Sequence, residues 1–195
     1  MRARATFALV ALLAASLAAR PGDAQTTPPP QPAPADCSIV GPGDAARILG
    51  YPVQEADDVA RSAGICFYST RAISDEGALS YAVVTAPWLP ERRAFFAAQA
   101  RRCSGISSGA PKEFICKSYI ALAVAADLAA YFAARTSTPD ATPVPALGNG
   151  ARATEAAVYV MTKTRVIEAV VRRGDALDLD RSSELAKLLL SRLAP

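Results

Sequence analysis

Hydrophobic and polar positions alternate most regularly over residues 156–173, AAVYVMTKTRVIEAVVRR. Val158 and Val160 alternate with Tyr159 and Met161. Beyond a short polar connection at Lys163 and Thr164, Val166, Glu168 and Val170 alternate with Ile167, Ala169 and Val171. A two-residue period sends successive side chains to opposite faces of a strand. The stretch therefore predicts an antiparallel hairpin, placed at the middle of a sheet. Residues 65–70, ICFYST, alternate too, with Cys66 and Tyr68 on one side and Phe67 on the other. Residues 78–86, ALSYAVVTA, form the partner strand of a second hairpin, whose turn over 71–77 carries Asp75, Glu76 and Gly77.

Between these strands the spacing turns helical. Asp44 is placed to cap a short helix, AARIL, that stops at Gly50 with Pro52 beyond, burying Ala45, Ile48 and Leu49. Residues 54–63 are polar and acidic and read as a loop. Pro87 and Pro90 end the second strand and open a helix over 91–102. Glu91 lies at its positive end and Arg101 and Arg102 at its negative end. Phe95 and Phe96 of this helix are expected on the sheet, and Trp88, just before it, is expected as a packing anchor. In 119–135, YIALAVAADLAAYFAAR, the residues Ile120, Val124, Leu128 and Tyr131 recur at helical spacing. Alanine is the strongest helix former, so the run predicts one helix. Residues 136–145 read as a Pro/Thr loop. A last amphipathic helix over 181–193, capped by Asp180, turns Leu185, Leu188 and Leu189 inward. The sum is an α+β fold: a strongly bent antiparallel sheet of four to six strands, with helices packed mainly on one face.

The amino-terminal end changes where this domain is expected to work. Residues 1–24 have the three parts of a secretory signal: Arg2 and Arg4, then the apolar run FALVALLAASLAA, then small residues at Gly22 and Ala24. The apolar run is shorter than the roughly 20 residues a spanning helix needs. Cys37 lies too far from the cleavage point to be a lipoprotein's acylated cysteine. Residues 25–35, QTTPPPQPAPA, read as an extended proline-rich linker, and residues 36–195 as a single disulfide-braced domain. The expected product is secreted or periplasmic, with no transmembrane span in the mature chain. Removing 1–24 takes away three arginines and Asp23, leaving 18 basic and 17 acidic side chains. That balance leaves no electrostatic footprint for nucleic acid.

Four cysteines in an exported chain make two disulfides. Three pairings are open; Cys37–Cys66 with Cys103–Cys116 is favoured because each closes a compact loop. A zinc site lacks both CxxC spacing and any histidine.

Several short motifs recur in one order: Cys37-Ser38-Ile39 before a helix ending in Leu49-Gly50, Cys66-Phe67-Tyr68, Pro143-Val144-Pro145-Ala146-Leu147-Gly148, and then the valine hairpin. In that order the chain resembles the small secreted or lipoprotein domains of unknown function found in actinobacterial cell envelopes. The resemblance implies an antiparallel sheet backed by helices and a disulfide joining Cys37 to Cys66, and it supplies no catalytic residues. The chain departs from the pattern in lacking the lipid-modified cysteine and in carrying an extra region over 103–139.

Candidate chemistry is sparse. Gly105-Ile106-Ser107-Ser108-Gly109 matches a G-x-S-x-G nucleophile elbow. The chain has no histidine to act as its base, which removes Ser-His and Cys-His catalysis. A Ser-Lys pair would have to use Lys112 or Lys117. Gly41-Pro42-Gly43 mimics a dinucleotide fingerprint but reads better as a turn before a helix. Asp175, Asp178 and Asp180 could offer oxygens to calcium, yet are explained as a turn and a helix cap. Glu55, Asp57 and Asp58 read as a solvated loop, and sequence spacing cannot show whether any of these carboxylates face each other as glycosidase pairs do. No catalytic, cofactor or metal residues are assigned. The expected function is a non-catalytic binding or interaction module of the cell envelope, its partner an envelope protein, the cell wall or a small molecule. The alternatives are a hydrolase using carboxylates or a Ser-Lys pair, and a structural spacer domain.

Overall fold

The computed structural model describes residues 36–55, 60–61, 64–69, 77–103, 112–148 and 150–193. The expected export signal, the proline-rich linker, the G-x-S-x-G motif, the 71–76 turn and the Asp57/Asp58 loop lie outside the described residues. The strands are β1 (Gln54–Glu55), β2 (Cys66–Ser69), β3 (Ala78–Thr85), β4 (Thr142–Pro143), β5 (Ala151–Ala153), β6 (Val158–Met161), β7 (Arg165–Arg173) and β8 (Ala176–Leu177). The helices are α1 (Pro42–Leu49), α2 (Leu89–Arg101), α3 (Lys112–Ala123), α4 (Leu128–Thr136) and α5 (Leu179–Arg192).

The sheet is open and antiparallel, in the order β1-β2-β3-β7-β6-β5-β4, with β8 as a tab on β7. The valine hairpin is its middle: β7 pairs with β3 from Ala78↔Arg172 to Thr85↔Arg165 and with β6 from Val158↔Ala169 to Met161↔Val166. The sheet has eight strands among the described residues, more than the expected four to six, three of them only two residues long; the α+β class stands.

Helices cover both faces of the sheet rather than mainly one. On the first face Tyr68, Leu79, Tyr81, Val158, Ile167, Ala169 and Val171 pack with Ala45, Ile48 and Leu49 of α1 and Leu185, Ala186 and Leu189 of α5. On the second, Val84 and Val166 pack with Leu89 and Phe96 of α2, Leu122 of α3 and Tyr131 of α4. The cause is legible in β3 and β7: Val83-Val84 and Val166-Ile167 are adjacent apolar pairs. They make this end of the two strands hydrophobic on both faces, and each face needs a cover.

Helix boundaries differ from the sequence reading: α2 opens at Leu89 rather than 91, and α3 opens at Lys112 rather than 119. The run over 119–135 is not one helix: α3 stops at Ala123, and Asp127, with extended backbone, accepts the Ala130 N–H at 2.8 Å to start α4. A capping carboxylate satisfies a free N–H only by leaving the helical conformation, so alanine propensity loses to it here. Ile120 and Val124, expected inside, are 55% and 69% exposed, whereas Leu122 is buried. Helix α1 is capped by Gly41 and opens with Pro42, and Asp44 lies in its first turn, paired with Arg192 of α5. Helix α5 is capped by Asp178, which accepts the Arg181 N–H; Asp180 lies in the first turn. The fixed φ of Pro42 and the better reach of Asp178 explain the two shifts.

Both disulfides are formed as paired above, Cys37–Cys66 with Cα atoms 5.4 Å apart and Cys103–Cys116 at 5.8 Å. Two disulfides fit a non-cytoplasmic location. Among the described residues no helix is long and apolar enough to cross a membrane.

Candidate functional site

Between the sheet and the helices over 119–135, Val84 and Val166 pack with Leu122, Tyr131 and Phe96. At the centre of this layer is a polar cluster that nothing in the sequence spacing announced. Glu168 stands in mid-β7, its side chain 12% exposed, and takes three kinds of donor. Arg135 of α4 reaches it with Nε at 3.0 Å and Nη2 at 3.2 Å, and the Tyr131 hydroxyl donates at 2.6 Å. The Arg92 guanidinium of α2, 1% exposed, stands 3.7 Å away and donates to Tyr131 at 3.2 Å. Rings enclose the cations: Arg92 lies 5.3 Å from Trp88 and 5.1 Å from Phe96, and Arg135 lies 4.9 Å from Phe96. Such stacking favours a guanidinium over an ammonium.

Electrostatics fixes the protonation of this cluster. Burial alone would raise the Glu168 carboxyl, but Arg135 and Arg92 outweigh it and hold it below the ordinary glutamate range. Burial likewise works against the Arg135 charge, and Glu168 more than offsets it, so Arg135 is raised. The Tyr131 phenol is pushed up by burial and then by Glu168. The two arginines and the phenol tie Glu168 of β7 to α2 and α4.

The open feature lies on the other side of Trp88. β2 pairs with β3 only from Cys66↔Tyr81 to Ser69↔Ala78. Among the described residues no strand pairs with residues 82–85 on that side, although β7 pairs with them on the other. Beside this edge is a half-open cleft of about 330 Å³. It is lined by Tyr81, Ala82, Val83 and Thr85 of β3, by Trp88 and Gly64, by Asp36 and Ile39 from the start of the described chain, and by Arg165 and Leu193. Trp88 is thus both a packing anchor and a wall of the cleft. Its ring closes on Gly64, where a Cβ would come 2.1 Å from a ring carbon. Its indole N–H is buried with no hydrogen-bond partner among the described residues. Arg165 is held at the rim by donating to the Leu193 carbonyl at 2.8 Å.

The residues singled out from the sequence separate. Asp178 is used up as the α5 cap and in ion pairs with Arg173 and Arg181. Asp175 does not join Asp178 in a ligand set. It lines an open cleft of about 480 Å³ with Asp140 and Glu155 from other segments, and there Asp140 already accepts the Glu155 N–H at 2.6 Å. Among the described residues no group of three acidic or cysteine side chains is arranged to hold a metal ion. Gly41-Pro42-Gly43 is the turn and first residues of α1. Ser107 and Glu55's side chain lie outside the described residues, as does the side chain of Lys112. The cleft residues come from five separate stretches of chain, so no spacing rule could collect them. One signal for the cluster was present: a charged residue, Glu168, amid the β-branched positions of a central strand needs a buried partner. No protein-family model, curated protein or solved structure matches the chain.

Proposed function

We propose that this chain is an exported, non-catalytic binding module of the cell envelope, and that its binding surface is the cleft beside the open edge of β3. The observation that carries the reading is the coincidence of a strand edge that no described strand pairs with and an aromatic and aliphatic wall. An extended polypeptide adds to such an edge through its backbone and places alternate side chains in the neighbouring cleft. The partner is therefore an extended segment of another envelope protein. The resemblance of the cysteine, Leu-Gly and Pro-Val-Pro motifs to actinobacterial envelope domains supports the same compartment.

The test uses a blocked hexapeptide of alternating valine and threonine as probe. Titrated into isotopically labelled protein, it is expected to shift the amides of 82–85 and to saturate. Substitutions Ile39→Glu and Leu193→Glu, which charge the rim, are expected to abolish the shift. Shifts elsewhere, or none, refute the reading. The hydrolase reading has less support: the buried carboxylate is locked by two arginines, and the chain holds no histidine.

A further inference from the structure

The residues beside the edge of β3 sort onto the two faces of the sheet. Thr85 stands opposite Arg165 in the β3–β7 ladder, and directly opposed residues carry their side chains on one face. Val83, two residues back, shares that face and packs on the first core, as do Ile39 and Leu193. Val84 turns the other way, to the second core, where Trp88 packs. The stretch that carries Ile39 is held still. Two phenols clasp it: Tyr68 donates to the carbonyls of Cys37 and Val40, and Tyr81 accepts the Val40 N–H and donates to the Asp36 carbonyl. The disulfide to Cys66 and a bond from Arg192 to the Ile39 carbonyl complete the hold.

Among the described residues, Arg165 and Asp36 are the two charged side chains that line this cleft. Their situations differ. The Asp36 carboxylate is occupied by its own turn, where it accepts the Ser38 N–H and hydroxyl. The Arg165 guanidinium donates to two neutral oxygens, from Nη1 to the Leu193 carbonyl and from Nε to the Thr164 hydroxyl. Among the described residues no carboxylate pairs with it. An arginine carries five donors in a rigid fork, so these two bonds position the charge and leave donors to give. We infer that the cleft selects an extended segment in which an acidic residue precedes an apolar one by two positions, and that Arg165 reads the acid. The inference rests on the reading of the cleft as a strand-binding surface and names the partner's chemistry.

The order of the two residues follows from the sheet. Every described ladder is antiparallel, and an added strand that continues the pattern runs against β3. Its residue opposite Thr85 then comes first, and the one opposite Val83 comes two places later. Both side chains fall on the face of Arg165 and of the shelf made by Ile39 and Leu193. The residue between them turns toward Trp88. The added strand lies two strand spacings from β7, about 9.6 Å. An arginine and an acidic side chain together bridge that gap, over the small side chain of Thr85. Backbone bonds to the edge supply the affinity. The charge pair at the rim is partly screened by water, so its main effect is on which partner is chosen.

Three blocked peptides are titrated into isotopically labelled protein and followed at the amides of 82–85: Thr-Glu-Thr-Val-Thr-Val, the same peptide with glutamine in place of glutamate, and the reversed order Val-Thr-Val-Thr-Glu-Thr. The glutamate peptide is expected to bind about fivefold more tightly than the glutamine peptide, and the reversed peptide no more tightly than the glutamine peptide. High salt is expected to erase the difference. Arg165→Gln is expected to bind the glutamate and glutamine peptides equally, and Arg165→Glu to prefer Thr-Lys-Thr-Val-Thr-Val over the glutamate peptide. Equal binding of the glutamate and glutamine peptides by the parent, or a preference that survives high salt or Arg165→Gln, overturns the inference. The cleft reading stands in that case if the valine–threonine hexapeptide still shifts 82–85. A reversed peptide that binds as tightly as the forward one overturns the stated order. Absence of shifts at 82–85 with every peptide overturns both readings.

Discussion

Glu168 faces two guanidinium groups and a phenol in a layer otherwise made of rings and methyl groups. Replacing it with glutamine removes the carboxylate that Arg135 pairs with at 3.0 Å and Arg92 at 3.7 Å, and a broken buried pair costs about 3 kcal/mol. Chemical denaturation of Glu168→Gln is expected to show that loss. The pH dependence has a definite sign. The folded carboxyl titrates below the ordinary value near 4.5, so its contribution is complete above that value and is lost as pH falls below it toward the folded value. The parent is expected to lose stability over that acidic window, and the glutamine variant to lose less. A second residue-scale prediction concerns Gly64. Its φ of +75° and the 2.1 Å approach to Trp88 leave no room for a methyl group. Gly64→Ala is expected to cost about 1–3 kcal/mol by overpacking and to move the Trp88 emission to longer wavelength. The sequence showed Trp88 and Glu168 as residues, but not their partners, because Arg92 and Arg135 sit in helices where exposed arginines are ordinary.

Elements were read from the chain where one face decided them. The alternation in β2 and the buried positions of α1 hold in the structure, because burial and period agree there, whereas β6 buries Val158, Tyr159 and Val160 in a row because both of its faces are covered. Helix ends were misread where two acidic residues compete for one cap. Asp178 and Asp180 are separated by a single residue, and only the geometry shows that Asp178 accepts the Arg181 N–H. Asp178→Ala is expected to destabilise by about 1 kcal/mol, as cap removals do, and Asp180→Ala by less than about 0.5 kcal/mol, as ordinary surface changes do. Asp127→Ala removes the cap that divides α3 from α4 and is expected to cost about 1 kcal/mol. Thermal denaturation of the three variants decides between them. The alanines of 119–135 hid this break because propensity alone favours continuing the helix.

At the scale of the whole molecule, one sheet serves two cores. β7 has a long ladder on either side and apolar side chains on either face, so its central amides are expected to exchange with solvent only on global unfolding. The disulfides add to this from the unfolded side. Loops of 29 and 13 residues give roughly 3.6 and 2.9 kcal/mol by loop-closure entropy. Replacing Cys37 and Cys66 together by serine is expected to lower stability more than replacing Cys103 and Cys116, as read by urea midpoints. Two-sided coverage escaped the sequence reading because it depends on which strands lie together, whereas each strand's own alternation was plain. The phenol clasp on residues 36–40 and the cystine behind it also decide the path of mechanical tension. A load drawn through the amino end passes at Cys37 straight into the β2 strand, so α1 is spared from peeling first. Stretching single molecules from that end should therefore give one abrupt rupture in the parent, and an early partial lengthening once Cys37 and Cys66 are serine.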